Sequence, residues 1–116
     1  MSAQLKLAPI GRSLQFNFQN PSKIAAVALI IYPDEEKETR LILIERNHYE
    51  GVHSGQVSFP GGKQEINDSS LAQTALRESN EEIGINIDSL TLLRKLSKIY
   101  IPPSNFLVTP FIFFQV

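Results

Sequence analysis

The run KIAAVALIIY (Lys23–Tyr32) constrains the fold more than any other stretch of this chain. It is apolar almost throughout and lacks the polar alternation of a half-solvated strand. A strand of that kind must be covered on both faces. PDEEKET then supplies a polar turn, and RLILIERN (Arg40–Asn47) reads as the returning strand of a hairpin. His48 to Ser54 reads as a loop. GQVSFPGG follows as a short strand broken by Pro60 and two glycines. Further on, SLTLLRKLSKIYI (Ser89–Ile101) and FLVTPFIFFQV (Phe106–Val116) read as two more strands around a PPSN turn.

One helix stands out between these strands. NDSS supplies capping residues, and Ser70 with Gln73 three residues later makes a capping box. The helical pattern runs from Ser70 to Ile83, and Gly84 stands where helices end in the left-handed conformation. Ala72, Ala75, Leu76, Ser79 and Ile83 share one face, while Thr74, Glu78, Glu81 and Glu82 occupy the adjacent one. The order strand, strand, strand, helix, strand, strand implies a mixed sheet with a helix packed on it, an α+β or α/β arrangement.

That helix carries an electrostatic problem. Glu78, Glu81 and Glu82 lie near its C-terminal, negative pole, where each carboxylate costs roughly 0.3–1 kcal/mol. Glu78 and Glu82 are also four apart and repel by about 0.2–0.5 kcal/mol more. The spacing makes the three side chains converge on one small volume. Oxygen ligands so placed suit magnesium or manganese, which keep several waters for substrate phosphates. The competing reading is a solvated acidic face, the common outcome for an acidic helix. Three features oppose it here. Arg77 can pair with Glu81, the acids sit at the disfavoured helix end, and Gly61 and Gly62 upstream let backbone amides approach phosphate.

The rest of the chain narrows the classes. Its 116 residues fit a single domain, 1–116, with one real core. A net charge of −1 without a basic run gives no footprint for nucleic acid. The absence of cysteine excludes disulfides, thiolate zinc sites and a cysteine nucleophile. No apolar run approaches the roughly 20 residues that span a bilayer, and MSAQLKLAPIGRS lacks a secretory pattern. A soluble, cytoplasmic protein with no membrane partner is the expectation. His48 and His53 could touch a phosphate, although loop histidines are more often solvated. Tyr100 and Phe106 could stack on a base, although aromatics near a strand end usually belong to the core.

GGKQEINDSSLAQTALRESNEEIGI resembles the Nudix box of the Nudix hydrolase superfamily. Gly62 matches its glycine, Asp68 falls at the acid position where glutamate is usual, and Arg77, Glu78, Glu81, Glu82, Gly84 and Ile85 match directly. Eight residues separate Asp68 from Arg77 where seven are usual, and Ser79 holds a normally apolar position, where its hydroxyl can bond back to a carbonyl. HSGQVSFPGGK, from His53, AAVALIIY, LILIER with Arg46, and IPPSNFLVTPFI are similar to segments of the coenzyme A pyrophosphatase branch. Gly51 stands where that branch carries a second arginine.

The resemblance implies a Nudix fold, an α/β/α sandwich, from which this chain is expected to lack the C-terminal helix. The chain stops in FIFFQV, so continuation beyond Val116 or burial against another copy, a homo-oligomer, is expected. The implied activity is hydrolysis of a nucleoside-linked pyrophosphate with Mg2+ or Mn2+. Coenzyme A or a derivative would yield phosphopantetheine and 3′,5′-ADP. Glu78, Glu81, Glu82 and the Gly61 carbonyl are the implied metal ligands. Glu81 or Glu82 would orient or deprotonate the water, and Arg77 would brace the glutamates. Arg46, His53, Gly61 and Gly62 would meet the substrate. Two alternatives stay open: a Nudix hydrolase of ADP-ribose or nucleoside triphosphates, and a non-catalytic nucleotide-binding module.

Overall fold

The computed structural model describes residues 22–45 and 56–116. Arg46 and His53, with His48 and Gly51, lie outside the described residues. Strand β1 (Lys23–Pro33) is followed by β2 (Thr39–Leu41), β3 (Ile44–Glu45), β4 (Val57–Ser58) and β5 (Gly61–Lys63). Helix α1 (Leu71–Ile83) and a 3-10 turn at Ile87–Ser89 lead to β6 (Leu90–Lys95), β7 (Ile99–Ile101) and β8 (Phe106–Gln115). Thus the fold is α/β with a mixed sheet, as the element pattern predicts.

At the centre of the six-stranded sheet, β1 and β8 run parallel, from Lys23 opposite Phe106 to Ile31 opposite Phe114. The other edge of β1 pairs antiparallel with β5 at its start and with β2 at its end. The other edge of β8 is shared in the same way by β7 and β6. Both central strands are therefore paired along each edge.

Helix α1 covers one sheet face. Ala26, Ala28 and Ile30 of β1, Phe111 and Phe113 of β8, Ala75 and Ile85 form the buried core there. Small residues at Ala26, Ala28, Ala75 and Ser79 let helix and sheet approach closely. Ser79 Oγ donates to the Ala75 carbonyl at 2.8 Å, the back-bond expected of a serine at that position. Ala25, Val27 and Val108 form a second cluster on the opposite face, with Leu29, Phe59, Ile101 and Phe106 against it. Among the described residues α1 is the one α-helix.

Several expectations need correction. The strand read over Arg40–Asn47 is two short pieces, β2 and β3, within its described part, and β3 leaves the main sheet to pair with β4. The strand read over Ser89–Ile101 is split into β6 and β7. Pro110 of β8 explains the split: its carbonyl accepts from Leu96 N–H at 2.9 Å, so its missing N–H faces the same edge. The pairing there lapses between Lys95 and Ile99. Thr74 is not on the solvated face but is fully buried. Phe106 belongs to the core, and Tyr100 Oη donates to Asn105 Oδ1 at 2.9 Å. No helix among the described residues is long and apolar enough to cross a membrane.

Candidate catalytic and metal-binding site

Local sequence sets the helix that carries the site. Ser70 caps α1 with extended backbone, and its Oγ accepts from Gln73 N–H at 3.1 Å. Gly84 ends it at φ 68°, donating its N–H to Asn80 O at 2.9 Å. These two caps fix which residues face strand β5.

Arg77 is the hub. Its Nε meets Asp68 Oδ1 at 2.9 Å and its Nη2 meets Asp68 Oδ2 at 3.1 Å, a two-point grip. Nη2 also donates to the Lys63 carbonyl of β5 at 3.1 Å. Nη1 reaches Glu78 Oε2 at 3.1 Å and both Glu81 oxygens at 3.3 Å. One guanidinium thus joins strand, loop and two helix carboxylates. The bond from Arg77 holds the Asp68 carboxyl well below the usual carboxylate range, and Asp68 in turn raises the Arg77 guanidinium further above its ordinary value.

Glu78 is half-buried, and that burial pushes its carboxyl above the ordinary glutamate value in spite of the Arg77 bond. The space it occupies exists because residue 62 is glycine: a β-carbon there would lie 2.5 Å from Glu78 Oε2. Gly61 is needed for another reason, since a β-carbon on it would lie 2.5 Å from the Ala26 carbonyl oxygen of β1. Glu82 Oε1 accepts the Gly61 N–H at 2.8 Å. Glu81 is the most exposed of the acids in contact with Arg77 apart from Glu65.

Glu78, Glu81, Glu82, Arg77, Gly61 and Gly62 are therefore brought together, but not in the way helix spacing suggests. Among the described residues no three carboxylate or imidazole groups gather into a ready-made cation cage. Arg77 stands between Glu78 and Glu81, and Glu82 turns toward the Gly61 amide. Mutual repulsion of the acids is relieved by N–H donors, Arg77 Nη1 for Glu78 and Glu81 and the Gly61 amide for Glu82. The donor chemistry nevertheless suits a hard divalent cation, with three carboxylates on one helix side beside a glycine-walled cradle. Asp68 is the residue that helix periodicity does not reach. It lies outside the helix, its side chain is 4% exposed, and only its position in the box pointed to it.

Comparison with known proteins gives the family and the fold. The NUDIX domain family profile matches residues 22–115. An uncharacterized Nudix hydrolase, NudL, of Yersinia enterocolitica is 43% identical over 75 residues, 65% of this chain and 38% of that protein. Nudix hydrolase 15, mitochondrial, of Arabidopsis thaliana is 40% identical over 74 residues, 61% of this chain and 26% of that protein. This chain spans well under half the length of either relative. Among solved structures, an Ap4A hydrolase of C. elegans is similar at TM-score 0.62 and 17% identity, covering 81% of this chain and 68% of that one. The NUDIX domain of Shewanella oneidensis NrtR, in complex with ADP ribose, gives TM-score 0.57 at 14% identity, covering 94% and 70%. At such identities the structural likeness is one of fold. With the profile matching most of its length, the chain belongs to the NUDIX domain family.

Proposed function

We propose that this domain is a divalent-metal-dependent hydrolase of a nucleoside-linked pyrophosphate, with coenzyme A or a derivative as its leading substrate. The observation that carries the reading is the Arg77 hub, which joins Glu78 and Glu81, with Glu78 against Gly62 and Glu82 on the Gly61 amide of β5. Nudix hydrolases generally use divalent metal ions, and magnesium or manganese suits the oxygen donors here. Glu78, Glu81, Glu82 and the Gly61 carbonyl would hold the ion. It would supply charge neutralisation at the phosphate oxygens and a lowered pKa for bound water.

The protein's own residues do the remainder. Glu82 or Glu81 accepts the proton of the attacking water. Arg77 braces the acids and leaves substrate contact to other groups. Gly61 and Gly62 bring backbone close to the pyrophosphate, and Arg46 and His53 are proposed to meet the substrate. Water adds across one P–O–P bridge, so coenzyme A would give phosphopantetheine and 3′,5′-ADP. The coenzyme A assignment is supported by HSGQVSFPGGK and IPPSNFLVTPF. A cytoplasmic setting fits the composition.

ADP-ribose is the second reading, a ligand that the NrtR domain of similar fold holds. A panel of coenzyme A, ADP-ribose and nucleoside triphosphates, each with magnesium and manganese, tests both. The expected result is the highest kcat/KM for coenzyme A or an acyl derivative. A much higher value for ADP-ribose would overturn the substrate assignment, and no turnover of any member would leave a nucleotide-binding module instead.

A further inference from the structure

Thr74 is completely buried, one turn before Arg77 and Glu78 on α1. Its Oγ1 reaches out of the helix to Asp68 Oδ2 at 2.8 Å, with a longer 3.2 Å approach to the Ser70 carbonyl. A hydroxyl has one hydrogen to give. The shorter contact, to an ionised acceptor, takes it. Ser79, the other buried polar residue of this helix outside the first turns, spends its hydroxyl on its own helix instead.

What Thr74 holds is one oxygen of the carboxylate that anchors Arg77. The terminal torsion of an aspartate is broad, so its carboxylate plane is set by its partners. Asp68 Oδ2 accepts from Glu65 N–H at 2.9 Å, from Thr74 and from Arg77 Nη2, while Oδ1 takes Arg77 Nε. If that plane turned, Arg77 would lose one of its two points. The guanidinium, whose Nη1 already meets Glu78 and Glu81 and lies 3.6 Å from Glu65, would then turn further onto those acids.

We propose that Thr74 is a positioning residue of the acidic site: by fixing the Asp68 carboxylate plane it keeps Arg77 Nε and Nη2 on Asp68, limiting the guanidinium's hold on Glu78 and Glu81, the proposed cation ligands, to the single nitrogen Nη1. This rests on the reading of Glu78, Glu81 and Glu82 as cation ligands.

The test compares Thr74→Ala, Thr74→Val and Thr74→Ser with the wild type. Mn2+ binding without substrate is followed by electron paramagnetic resonance, and Arg77 Nε–H exchange by NMR. Ala and Ser differ only by the hydroxyl, and Val keeps the volume should Ala unfold. Loss of a partner that orients a ligand typically weakens metal binding by roughly 10–100-fold. The expected result lies near the lower end, with faster Arg77 Nε–H exchange in Ala and Val and both properties restored in Ser. A purely structural role would lower Tm without separating Ser from the others in Mn2+ binding. Mn2+ binding by the wild type with no difference among the variants overturns the positioning role alone. Failure of the wild type to bind Mn2+ overturns the ligand assignment and the proposal with it.

Discussion

The Gly61 backbone N–H donates to Glu82 Oε1 at 2.8 Å, tying strand β5 to the last turn of α1. The contact answers part of the cost of an acid at the negative pole of a helix, because the carboxylate is turned onto a donor outside that helix.

Glu82→Gln is the first prediction. The amide oxygen still accepts from Gly61, and the side chain is exposed, so Tm should hardly change. Removal of the charge should lower kcat by about 10²–10⁴-fold, the range of a proton-transfer group. Stopped assays with and without chelator check it: wild-type turnover in the variant, or full wild-type activity in chelator, would sink the metal-dependent assignment.

Gly62→Ala should separate activity from stability. The new β-carbon meets the far end of the Glu78 side chain, with Oε2 at 2.5 Å and Cδ at 2.6 Å. A flexible carboxylate can swing aside, so thermal unfolding should shift little. Mn2+ binding should fall because Glu78 no longer occupies its cradle. Equal Mn2+ affinity in variant and wild type would count against Glu78 as a ligand.

Gly61→Ala should do the reverse. Its β-carbon meets backbone, the Ala26 carbonyl at 2.5 Å and Val27 Cα at 2.8 Å. Relief would require parting the β1–β5 ladder, where Val27 faces Gly61. Overpacking of this kind costs about 1–3 kcal/mol, readable as a lower urea midpoint at unchanged m. An unchanged midpoint would show that β5 can move away freely.

Asp68 should give the fold an acid limit. Its bonds to Arg77 lower its folded pKa below the ordinary value of 3.8. The unfolded chain therefore binds the proton first as pH falls. The stabilisation is complete above the ordinary aspartate range and is lost progressively below it, down through the folded value. In Asp68→Asn the charge is absent at every pH, so stability near neutrality should drop and the acid-side slope should flatten. Urea titrations between pH 2 and pH 7 (roughly the window that linkage implies) check this, and an unchanged slope would contradict the role of Asp68.

Helix α1 was legible because its signals are local. Ser70 caps three residues ahead, Gly84 closes the far end, and the acids repeat at helical spacing. The box also led to Arg77 as a brace. What sequence did not carry was non-local. Thr74 is buried and bonds Asp68, an acid outside the helix, a contact that no periodicity encodes. The break between β6 and β7 follows from Pro110, a residue on another strand whose missing N–H points their way. The carboxylates were expected to converge, and instead a guanidinium divides them. Rotamer choices among competing donors depend on the assembled site.

The parallel register of β1 with β8, Lys23 opposite Phe106, has a consequence for how the protein is made in the cell. Residues 23–33 are synthesised some way ahead of their main partner strand, β8. Until it emerges, a nascent segment as apolar as KIAAVALIIY has one edge open and no stable neighbour on it. Non-local pairing of this sort closes slowly and exposes unpaired strand edges meanwhile. Synthesis speed and chaperone occupancy over that interval should therefore govern yield. Substitutions in β1 that the finished fold tolerates should still reduce the amount of protein recovered.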